Sequence, residues 1–247
     1  MNEPLGIWIG FIVFVIVMLL LDLLVFHKKD EAVKVKSALL WSAFWIGLAM
    51  LFNVGIYFLL GRREALDFFT GYLIEKSLSV DNLFVFIMIF ASFNIEPKYQ
   101  HRILFWGIIG AIVMRAVFIF AGIALIERFE WVMYIFGIFL VYTGIKMFFE
   151  KDNKDETINL ENNKMIKFVK RILPVAIDRQ ETHFFKYIDG KLFATQFLLT
   201  LVMIEGSDLI FAVDSIPAVM SVSTDPFIVY TSNIFAILGL RSLYFAL

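Results

Sequence analysis

Cysteine is absent from the 247 residues, which excludes disulfides, thiolate metal ligands and redox chemistry at sulfur. Histidine is scarce: His27, His101 and His183 are the three present, each in a segment that reads as a polar connection. No imidazole is therefore expected at membrane depth. Charged residues make up only 18% of the chain and nearly cancel, with a net charge of −1. No nucleic-acid partner is expected. No activated nucleophile, cofactor motif or HExxH pair appears, so the chain does not read as an enzyme and no resident cofactor is expected.

What the chain does have is grease. Hydrophobic residues make up 60% of it, with 29 phenylalanines, against about 45–50% apolar residues in soluble domains. The excess lies in long runs, whereas the strands of a membrane β-barrel alternate apolar and polar positions. The expected fold is all-α, a polytopic transmembrane helical bundle. Seven candidate spans can be read, at 5–26, 37–60, 66–92, 103–126, 131–149, 192–220 and 227–247. Each is near or above the ~20 residues needed to cross about 30 Å of hydrocarbon. The first run is too long for a signal-peptide core and continues into His27-Lys28-Lys29-Asp30 with no small-residue cleavage site, so it reads as a permanent span.

Lysine and arginine are sorted by loop. The connections at 27–36, 93–102 and 150–191 carry most of them, and the alternate connections carry Arg62, Arg63 and Arg128. By the positive-inside rule the N-terminus faces outward and the basic loops face the cytoplasm, which implies the cell inner (plasma) membrane. The chain thus divides into a 1–149 segment with five spans, a 150–191 basic loop, and a 192–247 segment with two. Within the loop, the charged, Asn-rich start at 150–163 should be mobile. From Met165 to Leu173 apolar residues recur at helical spacing among Lys164, Lys167, Lys170 and Arg171, which suggests a basic amphipathic helix on the inner membrane surface. Asp189-Gly190 between alternating apolar residues signals a hairpin. This loop is also where membrane-protein partners would dock.

The third and fourth spans repeat in the sixth and seventh at an offset of 126. Asn82 maps to Asp208, Asp81 to Ser207, Ser79 to Glu205, and Arg115 to Arg241. Each span and its copy are three spans apart in order, an odd number, so the copies must face opposite ways, as in the inverted repeats of many secondary transporters. The same offset places a counterpart of the fifth span beyond Leu247, and the complete architecture is expected to be longer than this chain.

Two acidic patches interrupt the greasy spans: Glu75 to Asn82, and Glu205 to Ser215. A charged side chain at the centre of a membrane helix costs about 2.5–3.5 kcal/mol even on insertion scales. Glu75, Asp81, Asn82, Glu205, Asp208 and Asp214 are therefore candidate metal ligands, with Arg115 and Arg241 as supporting counter-ions. At 100° per residue, Glu75, Ser79 and Asn82 share one face and Asp81 points elsewhere; Glu205, Asp208 and Ser215 share a face that Asp214 leaves. Pro217 deprives the carbonyl of Val213 of its partner and could kink or open the helix there, freeing backbone oxygens. The oxygen-rich set suits hard cations such as Mn²⁺, Ca²⁺ and Mg²⁺. Five carboxylates against two arginines leave three surplus negative charges, or two if Lys76 also reaches in, which a dication or protons would offset.

The run from Glu205 to Ala218, continued by Asp225-Pro226-Phe227-Ile228-Val229-Tyr230-Thr231-Ser232-Asn233 and Phe235 to Tyr244, closely resembles the TerC family of bacterial membrane proteins. Leu78-Ser79-Val80-Asp81-Asn82 looks like that family's first signature. The family is named for tellurium resistance, includes Alx-type members and is implicated in manganese efflux. The resemblance implies that Asp81, Asn82, Glu205, Asp208 and Asp214 line a metal pathway and that Mn²⁺ leaves the cytoplasm through it, with protons as a candidate counter-ion. Family members usually continue with one or two further spans. The alternative is a non-transporting membrane scaffold or tellurite-stress partner whose acids serve as structural ion pairs.

Overall fold

The structure is a computed structural model, and it describes residues 4–26, 35–149, 164–176 and 183–247. Most of the first basic loop, including Lys28, Lys29 and Lys34, and the expected mobile stretch 150–163 lie outside these residues. The described chain is predominantly helical. In order it forms α1 (Leu5–Phe26), α2 (Val35–Leu59), α3 (Arg62–Ser92), α4 (Pro97–Arg128), α5 (Val132–Phe149), α6 (Lys164–Ile172), β1 (Val175–Ala176), β2 (Phe185–Ile188), β3 (Lys191–Thr195), α7 (Gln196–Met220), α8 (Pro226–Leu238) and α9 (Leu240–Tyr244). By length and composition α2, α4, α7 and the α8–α9 segment can each cross a membrane; α1 and α5 contribute shorter apolar stretches. With 31 residues α3 is also long enough, but Arg62, Arg63, Glu64, Asp67, Glu75, Lys76 and Asp81 dilute its hydropathy.

The core is built from two interlocked helical hairpins. α3 packs against both α7 and α8, and α4 does the same, while α3 and α4 scarcely touch each other, as is true of α7 and α8. Each helix of one hairpin thus lies between the two of the other, and all four face a common centre. α2 covers α3, α8 and α9, and α5 leans on α7 and α4. Small residues set the spacing. A Cβ on Gly71 of α3 would stand 2.9 Å from Ser232 Oγ of α8 and 3.0 Å from Val219 Cγ1 of α7. Outward faces are apolar, with Leu51, Phe58, Val117 and Ile138 exposed. That is the surface a helical bundle presents to lipid.

Two differences from the sequence expectation concern breaks. α7 runs on through Pro217 to Met220 and does not open. Pro217 sits in the last turns, where it removes one hydrogen bond, and burial of Ser215, Ile216, Val219 and Met220 on both sides holds the helix in line. The interruption falls in the last span, at Gly239 between α8 and α9. There the Lys76 ammonium reaches over from α3 and donates to the Ala236 carbonyl at 3.4 Å, at the end of α8 where carbonyls lack helical partners.

The sixth span begins later than its hydropathy suggests, because residues 191–195 are used by a strand. A three-stranded sheet has the order β1-β3-β2, β1 parallel and β2 antiparallel to β3. Asp189 and Gly190 both take positive φ, 49° and 75°, at the β2–β3 turn, the geometry a two-residue hairpin of this twist requires. Buried Thr195 then joins sheet to helix. Its hydroxyl donates to the carbonyls of His183 (2.6 Å) and Phe184 (3.0 Å) and accepts from Leu198 N, capping α7. Helix α6 turns Ile166 and Val169 into the hydrophobic cluster that contains Phe197 and Leu199 of α7, and Met165 lies over Gly206. Ile166 and Val169 thus pack on protein, while Ile172 stays exposed. His101 is also taken inward: α4 starts at Pro97, so this residue sits in an early turn and is buried.

Candidate functional site

One side chain from each of the four central helices converges at the middle of the bundle. Arg115 of α4 is fully buried. Its Nη1 donates to Glu75 Oε1 of α3 and to Asn233 Oδ1 of α8, and its Nη2 donates to Asp208 Oδ1 of α7 at 3.2 Å. Asn82 of α3 completes the ring by donating Nδ2–H to the same Asp208 oxygen, at 3.2 Å. Asn82 and Asp208 are the residues that the 126-residue offset pairs. The cluster is at mid-depth: Glu75 is 13 residues from the start of α3, or about 20 Å at 1.5 Å per residue.

The helices reach this arrangement because each offers one polar stripe along an otherwise apolar cylinder. Glu75, Ser79 and Asn82 are buried on one side of α3; Asp208, Ala212 and Ser215 are buried on one side of α7. An ion pair at this depth is tolerable only if its members are close and hydrogen-bonded. The cluster is nevertheless only partly satisfied. Glu75 Oε2, Asp208 Oδ2, Asn82 Oδ1 and the hydroxyls of Ser79 and Ser215 are buried with no hydrogen-bond partner. Each carboxylate thus gives one oxygen to the guanidinium and keeps the other free. Beside Asp208 lies a cavity of about 20 Å³ lined by Leu83, Gly107, Ala111, Leu240 and Arg241, among others, room for about one water-sized guest.

The remaining expected residues are placed differently. Glu205 is one turn from Asp208 and half-buried, its carboxylate lying against Gly110 of α4, where a Cβ would collide with it. Arg241 is buried at the edge of the small cavity. Asp81 is exposed on the outside of α3 and takes no part in the cluster. Asp214 is half-exposed on α7, within the electrostatic reach of Lys146 of α5. Both stand off the inward faces because the helices stay continuous. The surplus of negative charge at the centre accordingly falls from three to one within the hydrogen-bonded cluster: Glu75 and Asp208 against Arg115. Among the described residues, no three of His, Asp and Glu come close enough together to form a metal-holding group by themselves; any ligand set here would mix carboxylate, amide and hydroxyl oxygens. Asn233 was not singled out as a site residue. Its signal was an amide inside an apolar run, weaker than a charge and visible only once α8 faces Arg115.

A second polar feature lies at one end of the bundle. A vestibule of about 300 Å³ is lined by Arg63, Glu64 and Asp67 of α3, Met220 of α7 and the Ser221–Asp225 connection. Buried Phe68 and Tyr72 follow it along α3 before Glu75, and Val219 and Ile216 along α7 before Asp208.

A bundle of long apolar helices closed around a buried ion-paired centre defines an integral membrane protein. The chain belongs to the integral membrane protein TerC family, whose profile matches residues 60–247. It is 52% identical to a membrane protein of Myxococcus xanthus over 98% of this chain and 75% of that one. A Salmonella typhi protein named as the membrane-bound redox modulator Alx is 47% identical over 98% of this chain and 77% of its own. The Alx of Escherichia coli K12 is 45% identical with the same coverage. No solved structure matches the chain.

Proposed function

We propose that the protein is a divalent metal cation transporter of the inner membrane, with its N-terminus outside, that carries Mn²⁺ out of the cytoplasm. The observation that supports this reading is the set of unpartnered oxygens on Glu75, Ser79, Asn82, Asp208 and Ser215. Buried polar atoms are normally hydrogen-bonded, and unsatisfied oxygens on the two carboxylates that share Arg115 are what a cation would complete. Carboxylate, amide and hydroxyl oxygens favour Mn²⁺, Mg²⁺ or Ca²⁺ over softer metals. The preference for manganese and the outward direction come from the family resemblance. The vestibule at Glu64, Asp67 and Asp225 would be the outer mouth, and the buried Phe68, Tyr72, Ile216 and Val219 the closed gate below it. Proton countertransport loses part of its motive, because the charge surplus at the centre is one rather than three. A redox role of the kind named for Alx would not run through thiol–disulfide exchange by this chain, which has no cysteine.

Mn²⁺ flux into proteoliposomes tests the reading, comparing wild type with Asp208→Asn and Glu75→Gln, with and without a pH gradient. Flux in the wild type that both substitutions abolish, with folding intact, is the expected result. Wild-type flux no greater than in empty vesicles would defeat it. One observation favours the scaffold reading: Arg115 already bridges both buried carboxylates, as a purely structural lock would. On that reading the 150–191 region docks partners, and Mn²⁺ leaves the melting temperature unchanged, whereas a site that binds the native state raises it by mass action.

A further inference from the structure

We propose that Arg115 is a tethered cation that takes the substrate's place when the transporter is empty, so that the unloaded protein can reset and metal moves as net flux rather than as one-for-one exchange. The inference rests on the transporter reading of the same site. Its starting point is the division of labour among the carboxylate oxygens. Glu75 Oε1 and Asp208 Oδ1 hold the guanidinium, while Glu75 Oε2 and Asp208 Oδ2 are unpartnered. The centre is thus half-filled by the protein's own positive charge and half-open to another. Asn233 Oδ1 also accepts from Arg115 Nη1, which gives the guanidinium a neutral anchor on α8 when a metal draws the carboxylates away.

Charge decides the consequence. Glu75 and Asp208 against Arg115, the charges joined by hydrogen bonds at the centre, give −1 when it is empty, and a bound dication makes it +1. The Lys76 ammonium keeps its own charge outside this hydrogen-bonded cluster, donating to the Ala236 carbonyl at the end of α8. Asp81 and Asp214 stay out because they leave the inward faces. The Born cost of holding charge in a low-dielectric interior is severe and grows with the square of that charge, so −1 and +1 are equally tolerable, and the empty and loaded forms can interconvert between orientations alike. Without Arg115 the empty centre would carry −2 and the loaded one zero. The loaded form would cross freely and the empty form, at four times the squared charge, would stall. Such a carrier exchanges metal across the membrane but cannot export it on balance.

The test measures two Mn²⁺ rates in the same proteoliposomes at equal pH on both sides: net uptake into metal-free vesicles, and tracer exchange with equal Mn²⁺ inside and out. In the wild type the two rates should agree within about threefold, and in Arg115→Gln the ratio of net to exchange rate should fall at least about tenfold, the equivalent of ~1.4 kcal/mol on the return step. Arg115→Lys, which keeps the charge, should restore most of the ratio. A wild type that exchanges without net uptake overturns the inference while leaving the transporter reading intact, and needs no variant to fold. So does folded Arg115→Gln with an unchanged ratio, or net uptake that demands an imposed pH gradient, which would assign the return charge to a proton. A wild type with neither rate removes the transporter reading and the inference together.

Discussion

Replacing Arg115 by methionine isolates the contribution of the central cluster. Methionine matches much of the arginine stem and removes only the charge and its donors. The substitution leaves Glu75 and Asp208, 1% and 3% exposed, facing each other without the guanidinium that both of them use. Breaking a buried, hydrogen-bonded ion pair by deleting one partner costs about 3–5 kcal/mol. For a chain of this size each kcal/mol lowers the melting temperature by about 2–4 °C, so the expected fall is about 6–20 °C. The structure adds a sharper expectation. Adding Glu75→Gln to Arg115→Met removes one orphaned charge, so the double variant should recover stability relative to the sum of the single ones, with a coupling of about 0.5–3 kcal/mol. Asp81→Asn provides the contrast: its side chain is exposed and unattached to the cluster, so its effect should stay within about 0.5 kcal/mol. Thermal unfolding in detergent, followed by intrinsic tryptophan fluorescence, measures all four. If Asp81→Asn destabilises more than Arg115→Met, or if Glu75→Gln and Arg115→Met simply add, the four-helix centre described here does not hold the bundle.

Other substitutions report on separate parts of the molecule. Gly110→Ala places a methyl where the Glu205 carboxylate lies; the flexible glutamate should swing aside, leaving stability within about 0.5 kcal/mol while carbodiimide labelling of Glu205, read by mass spectrometry, changes clearly. Asp225→Ala removes the cap that accepts from Phe227 N at 2.8 Å and Ile228 N at 3.1 Å, costing about 1 kcal/mol in thermal unfolding, most of which Asp225→Asn should return. Gly190→Val forces a β-branched residue to a φ of 75°, a strain of about 1–2 kcal/mol, and should speed limited proteolysis of the hairpin without moving the melting of the helical core.

Helical architecture was legible before any coordinates because lipid leaves a chain few options. A run of about twenty apolar residues with no water to satisfy its backbone must be helical, and α1 to α5 follow the hydropathy closely. Asp189-Gly190 likewise specified its own turn, since few other pairs tolerate two positive φ values in succession. The helix period had already separated Asp81 from the face of Glu75, Ser79 and Asn82. Local signals were weaker guides where two influences competed. Pro217 argued for a broken α7, but burial on both sides of it kept the helix straight, and the interruption moved to Gly239. Leu192, Phe193 and Ala194 read both as an arm of the Asp189-Gly190 hairpin and as the start of a span, and the strand took them because Thr195 is the residue able to cap α7.

Which charges meet was beyond the sequence. Composition and spacing determined that this is a helical membrane protein with acids and arginines at depth, since those follow from hydropathy and from a period of 3.6 residues. They could not say that α3 and α4 would part to let α7 and α8 between them. Only that interlocking brings Glu75, Arg115, Asp208 and Asn233, one from each helix, to a single point, and turns five candidate carboxylates into two that grip an arginine and a third close by. Coulombic interaction falls with distance and depends on what surrounds the charges, so the balance of the site belongs to the packing of four helices and to no one of them alone.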